Sequence, residues 1–312
     1  MSRLKVEKVQ VKPLRPIIRD GLQNEQLLEK VVTPGVYLVG HTLATPQILD
    51  AWKDHTRQDF SLHDAPQAYT DLKNLALGMK NSIPDDSDIK PHPLMPAVFG
   101  GRVCYDSHHL PNPNTAQPGA YLNNIVAQNH WSVLEHAHFN FYLEGVSRSL
   151  THELVRHRHF SFSQESQRYV AQPPRVVVPP NATADEEHSI LYCSAYVYEQ
   201  YKTLDQGLLG EETGLTRKQR REKSRAVLPN CFATNIMVSG NLRSWLEFLQ
   251  KRLSPAADAE MQRVAGCIKE ELAEALKFPI GTPQFDIDGA LNGPATNAQQ
   301  APNQIGRASC RE

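Results

Sequence analysis

Apolar and polar residues alternate with a readable period along much of the chain. Residues 136–145, HAHFNFYLEG, put Phe139, Phe141 and Leu143 on one side and His136, His138, Asn140 and Tyr142 on the other, which is strand periodicity. Residues 119–130 space Leu122, Ile125 and Val126 as a helix face, and residues 147–158 carry Leu150 and Leu154 four apart. Residues 186–204 predict a helix with Ile190, Ser194, Val197 and Tyr201 on one stripe, and 216–229 a basic helix stopped by Pro229. Two further helices are predicted over 241–253 and 256–276, the second burying Met261, Val264, Ile268 and Leu272. Upstream, GVYLVGHTL (35–43), bounded by Pro34 and Pro46, predicts a buried strand. Residues 68–79 have helical spacing at Leu72, Leu75 and Leu77, 81–93 read as a loop, and 97–105 as a short apolar segment broken by a glycine pair. No repeat is visible and helices do not alternate regularly with strands, so the pattern favours an α+β fold over a doubly wound sheet.

Composition narrows the function classes. The chain has 312 residues, a formal net charge of -1 and 40% hydrophobic residues, enough for one large domain or two ordinary ones. No apolar run approaches the ~20 residues of a membrane span. The start, MSRLKVEKVQVKP, has charge without an apolar core and does not read as a signal peptide. Cys104, Cys193, Cys231, Cys267 and Cys310 are scattered with no C-x-x-C pair, which fits a reducing cytoplasm rather than a disulfide framework or zinc ribbon. The near-neutral balance argues against bulk nucleic-acid binding, so any anion site is local. Residues 281–312 read as a disordered tail, and QIGRASCRE (304–312) back-translates into a sequencing-adapter stretch; both are set aside from the fold.

The segment RHRHFSFSQESQRYV (156–170) concentrates the candidate chemistry. Arg156 and Arg168 bracket Ser161, Gln164 and Ser166. An arginine fork matches phosphate or a carbonyl pair, and serine and glutamine complete the hydrogen bonds without adding charge. A solvated basic turn is the plainer alternative, which the absence of lysine and the short polar residues disfavour. Arg217, Arg221 and Arg225 lie four apart, and for Arg217 and Arg221 a solvated face is the better reading. Asn241, Trp245, Phe248 and Arg252 share one helix side. That stripe suits either a flat ring with polar edges or an ordinary core seam capped by Asn241. His130, Glu135, His136 and His138 suggest a metal set, with His136 and His138 on one strand face, but no further ligand completes it, and Ser132–Glu135 also fits a capping box. Neither a dinucleotide-binding glycine motif nor a P-loop occurs.

The segment resembles the signature of the flavin-dependent thymidylate synthases, R-H-R-x-x-S followed by S-x-R-Y. GRVCYDS (101–107), residues 130–158, RVVVPP (175–180), RAVLPN (225–230) and GNLRSW (240–245) resemble family segments in family order. The resemblance implies one α+β catalytic domain over 94–280, an antiparallel sheet packed with helices, behind an N-terminal extension (1–93) in which 35–43 reads as a first core strand. It implies a cytoplasmic homotetramer with active sites built from several subunits. It implies that FAD, with methylenetetrahydrofolate and NADPH as co-substrates, serves the methylation of dUMP to dTMP. By motif position the flavin meets His130, Ser132, Glu135, Arg156, His157, Arg158, Ser161, Asn241 and Arg243. The dUMP meets Glu153, Arg156, Gln164, Ser166, Gln167, Arg168, Arg225 and Arg252. No cysteine is placed to activate the pyrimidine. Arg252 is therefore the candidate for polarising the ring, an effect worth ~3 kcal/mol per donor. Arg168 and Arg225 are the phosphate clamp. Ser166 has no paired base and reads as a dUMP ligand in the catalytic site. The chain departs from the family pattern at Ala256, commonly histidine, and at Glu247, commonly asparagine or histidine; both positions lie near the flavin. The competing functions are a metal-dependent nucleotide phosphohydrolase using His130, His136 and His138, and a non-enzymatic nucleotide- or RNA-binding module.

Overall fold

The computed structural model describes residues 31–43, 92–105, 113–208, 213–278 and 282–292. The expectations for 68–79, for most of 81–93 and for the tail beyond 292 lie outside these residues.

Four strands form one antiparallel sheet in the order β1-β2-β4-β3: β1 Gly35–His41, β2 His138–Ser147, β3 Ser161–Gln164 and β4 Ala233–Asn241. With the helices below this is the α+β fold that the sequence predicts. In β2, Phe139, Phe141 and Leu143 are fully buried while His138 and Glu144 are exposed, as alternation requires. The strand β1 forms where predicted but is not buried. It is the sheet's edge, and Tyr37 and Val39 stay 39% and 52% exposed. An apolar run identifies a strand without saying which place in the sheet it takes.

The helices follow their periodicity with shorter ends. They are α1 Met95–Cys104, α2 Pro118–Ala127, α3 Arg148–Leu154, α4 Ala184–Lys202, α5 Arg217–Ser224, α6 Leu242–Arg252, α7 Ala259–Ala275 and α8 Ile287–Asn292. The pattern at 147–158 stops at Leu154, and the basic helix stops at Ser224, where a 3-10 turn over Arg225–Val227 precedes Pro229. Met261, Val264, Ile268 and Leu272 form the buried stripe of α7. In α1 the glycine pair does not break the helix. A Cβ on Gly100 would lie 2.7 Å from the His136 ring, and one on Gly101 2.6 Å from the Tyr121 hydroxyl. Both glycines thus let neighbouring side chains pack against the helix. Gly145, with φ +66°, supplies the left-handed step just before β2 ends.

The described residues divide into two compact units. One holds 31–37, 142–208, 213–238 and 258–264; the other holds 38–43, 92–105, 113–141, 239–257, 265–278 and 282–292. Because β1, β2 and β4 each run through both, the catalytic span 94–280 read from sequence contributes to each unit.

In the second unit, His92 gives a pH prediction. Its Nδ1 accepts from Leu94 N–H at 3.2 Å, its Nε2 donates to Lys277 O at 3.2 Å, and its ring stacks on Phe278 at 3.9 Å. That tautomer is neutral. Burial pushes the imidazole pKa down to about 4, against weaker support for the cation from nearby carbonyls. A pKa depressed on folding contributes stability above the unfolded value of 6.5, and that stability drains away as pH falls toward 4. The expected loss is about 3 kcal/mol across this window. Urea midpoints at several pH values should show an acid slope that His92→Asn flattens; an unchanged slope would remove His92 as its source.

Candidate functional site

The signature segment folds as a helix end, a short strand and a turn, all within the first unit. Helix α3 is N-capped by Ser147, whose hydroxyl accepts from Leu150 N–H at 2.9 Å, and the chain leaves it at Arg156–Arg158. Arg156, Arg158 and Ser161 are exposed, and His157 is half-buried. Gln164 ends β3 with its amide donating to Thr151 Oγ1 at 3.0 Å, which fixes the side chain against α3. In the turn that follows, Ser166 Oγ accepts from Arg168 N–H at 3.3 Å. Glu153 and Gln167 are half-buried, as is Arg225 in its 3-10 turn.

Charge in this unit is unevenly neutralised. Arg168 lies 3.6 Å from Glu222, but these side chains are 37% and 52% exposed, so the pair is worth only ~0–1 kcal/mol and yields readily to a bound anion. Arg148 Nη2 donates to Glu165 O at 2.8 Å, while its Nε and that of Arg168 are shielded from solvent without a hydrogen bond. Burial lowers the Arg148 pKa; Glu165 opposes this and the neighbouring charge of Arg225 adds to it. Arg148 and Arg225 thus disfavour each other's charge, an arrangement that an anion beside them would relieve.

Sequence reasoning missed the residue that holds this turn. Glu165 accepts from Asn235 Nδ2 at 3.1 Å and Gln172 Nε2 at 3.3 Å, with Arg175 at 3.9 Å, and its backbone N–H donates to Asn235 O at 2.9 Å. Its position between Gln164 and Ser166 is the only signal the sequence offers. Glu165→Ala removes the acceptor of Asn235 Nδ2, one of the two acceptors of Gln172 Nε2 and the ion-pair partner of Arg175, and is expected to cost about 2 kcal/mol, read as a lower urea midpoint with unchanged slope. An unshifted midpoint would show that the turn holds without it.

The second unit carries the remaining positions. His130 stacks on Tyr105 at 5.7 Å with planes 14° apart, and its Nδ1 is hydrogen-bonded to the Tyr105 hydroxyl. Trp131–His136 is a 3-10 helix, so His136 lies outside β2 and does not share a strand face with His138. The Ser132–Glu135 capping box does not form either. His130 occupies the N-cap position with no side-chain cap, and exposed Glu135 instead pairs with Arg243 at 2.7 Å. Arg243 is also held by Glu247 at 3.2 Å, so the departure at Glu247 places a second carboxylate on a guanidinium assigned to the flavin. Asn241 caps α6, its Oδ1 accepting from Ser244 N–H and Oγ, each at 2.9 Å. Trp245 and Phe248 are fully buried, which resolves the aromatic stripe as core. Arg252, half-buried, ends α6.

The metal reading fails on geometry: among the described residues no three His, Cys, Asp or Glu side chains gather to hold an ion.

A family model described as Thymidylate synthase complementing protein matches residues 88–279. The chain belongs to this family, that of the flavin-dependent thymidylate synthases. It is 46% identical over 208 residues to the flavin-dependent thymidylate synthase of Mycobacterium sp. (strain JLS), covering 62% of this chain and 81% of that one. With the enzyme of the same name from Mycobacterium tuberculosis (strain ATCC 25177 / H37Ra) it shares 46% over 204 residues, 62% and 80% of the two chains. Among solved structures, thymidylate synthase X from Helicobacter pylori with FAD and dUMP aligns over 59% of this chain and 90% of that one, at 24% identity and TM-score 0.45.

Proposed function

We propose that the protein is a flavin-dependent thymidylate synthase that methylates dUMP reductively to dTMP, with methylenetetrahydrofolate giving the carbon and NADPH the reducing equivalents. The observation that carries this reading is the signature segment 156–170, folded so that Gln164 is fixed to α3, and Ser166 and Arg168 share one turn, with the Arg168 side chain in an exposed, weak ion pair.

Bound FAD would supply the hydride chemistry that no amino-acid side chain provides. Its phosphates suit the exposed cations Arg156 and Arg158, with His157 and Ser161 adding hydrogen bonds. His130, Ser132, Glu135, Asn241 and Arg243 complete the proposed flavin set. Glu135 and Glu247 engage Arg243 through Nη1 and Nε, so that arginine serves the flavin through its remaining N–H donors, with its charge partly neutralised by two carboxylates.

Arg168 and Arg225 clamp the nucleotide phosphate, with Ser166 Oγ as a neutral hydrogen-bonding partner. Glu153, Arg156, Gln164 and Gln167 orient the sugar and base. Arg252 stabilises negative charge on a uracil carbonyl as C5 becomes nucleophilic, the role a thiolate adduct plays in other thymidylate synthases. Burial pushes the Cys231 thiol pKa up, which keeps it protonated and unsuited to attack.

Residues 94–280 form the catalytic domain, 1–93 extend it, and the enzyme works as a cytoplasmic homotetramer whose subunits share sites. Among the described residues no helix is long and apolar enough to cross a membrane. The test is tritium release from 5-tritiated dUMP by the purified, FAD-loaded protein with NADPH and methylenetetrahydrofolate. Release that needs all three is expected; flavin-loaded protein that leaves the label in place would refute the activity.

A further inference from the structure

The start of the signature helix is held by a carboxylate 113 residues further along the chain. Glu260, only 6% exposed, accepts from Ser147 N–H through Oε1 at 2.8 Å and from the Ser147 hydroxyl through Oε2 at 2.6 Å. A serine hydroxyl has one proton. Giving it to Glu260 leaves the oxygen lone pairs facing Leu150 N–H, 2.9 Å away, which is the N-cap of α3. Glu260 is itself fixed, its backbone N–H donating to Asp258 Oδ1 at 3.0 Å in the first turn of α7. The O–H···O distance of 2.6 Å is at the short end of the ordinary range, where bonds to ionised acceptors fall. Burial raises the Glu260 pKa, Ser147's two donors oppose that, Asp258 adds to it and Arg263 relieves it.

A buried carboxylate is a poor route to stability, because its desolvation offsets most of what its hydrogen bonds return. What this one supplies is geometry. Helix α3 has seven residues, about two turns, and leads straight to Arg156, His157 and Arg158. In so short a helix, the conformation of the first turn sets the direction in which the last turn points.

We propose that Glu260 is a positioning residue for the flavin site, acting through the Ser147 cap on α3 to set where Arg156, His157 and Arg158 present their side chains. This rests on the reading of those three residues as flavin contacts. Neither Glu260 nor Ser147 needs to touch the flavin.

Glutamine keeps the shape of Glu260 but puts an NH2 donor where one of the two accepting oxygens stood, so it cannot meet both Ser147 protons in their present places. FAD binding to apoprotein is measured by absorbance titration, below the thermal midpoint of each variant, for Glu260→Gln, Ser147→Ala, Ser147→Thr and Arg158→Ala. Glu260→Gln and Ser147→Ala are each expected to weaken FAD binding about tenfold. Their double variant should be no worse than either alone, the signature of one shared device. Ser147→Thr, which retains a capping hydroxyl, should stay within about threefold of the native protein. If Glu260→Gln does not fold, the Ser147→Ala and Ser147→Thr pair decides. Native-like FAD affinity in folded Glu260→Gln or Ser147→Ala overturns the proposal, as does equal weakening by Ser147→Ala and Ser147→Thr. Arg158→Ala separates the two levels. Weakened binding there beside unaffected Glu260→Gln removes only the positioning role, whereas unaffected binding in both removes the flavin assignment of the segment as well.

Discussion

Replacing Arg252 with alanine is expected to abolish dTMP formation while NADPH still reduces the flavin. The two half-reactions ask different things of the protein. Reduction of the flavin requires that the coenzyme be bound. Methyl transfer further requires C5 of uracil to carry electron density, and this needs a donor aimed at the oxygen where charge collects. Loss of one such donor costs about 3 kcal/mol, or on the order of 10²–10³ in rate. Arg252 suits the task because a guanidinium presents its donors as a rigid, planar fork. It sits at the C-terminal end of α6, where a cation is favoured by the helix dipole. The buried seam of that helix lies at Trp245, Leu246, Phe248 and Leu249, so truncating the terminal residue spares that seam. Lysine keeps the charge but not the fork, and Arg252→Lys should fall between alanine and the native enzyme. Stopped-flow absorbance follows flavin reduction and tritium release follows methylation. Undiminished methylation by Arg252→Ala would assign ring activation to another group.

Much of the fold was legible because burial follows a period. The alternation over β2 and the stripe on α7 are local patterns, and each places its residues on the core side that it predicts. What failed depended on partners distant in sequence. Ser132 and Glu135 have the spacing of a capping box, but six residues of 3-10 helix give no α-helical N-terminus to cap, and Glu135 finds Arg243 instead. The apolar run of β1 carries no mark of an edge, which depends on what other strands do. Of the site, the signature segment was readable as a set of residue types. The carboxylates that hold it, Glu165 and Glu260, were not, because each acts through hydrogen bonds to residues that no local period relates to it. Glu260 in particular lies in the first turn of α7, where an exposed acidic residue is ordinary on dipole grounds alone.

Trp245→Ala is expected to destabilise the protein by about 3–5 kcal/mol. Spacing alone left two uses for the aromatic side of α6, a surface for a flat ligand or a core seam, and the two differ most at this residue. Trp245 is 0% exposed. Its indole meets Phe141 edge-on at 4.8 Å and Phe248 at 5.8 Å, and Nε1 donates to Phe139 O at 3.2 Å. Alanine removes the largest fully buried side chain among the described residues and opens a cavity beside β2. It also cuts two edge-to-face contacts and leaves a strand carbonyl without this donor. Trp245→Phe keeps most of the volume and loses the hydrogen bond, so about 1–2 kcal/mol is expected of it. Urea unfolding of the apoprotein reads both, free of any ligand's contribution to stability. A ligand-binding face would behave in the opposite way: alanine would change the apoprotein midpoint little and weaken FAD binding directly. A large drop in midpoint, with Trp245→Phe between alanine and native, follows from a seam that anchors α6 and with it the placement of Arg243 and Arg252. An alanine variant within about 0.5 kcal/mol of the native protein would mean that the indole faces a ligand instead.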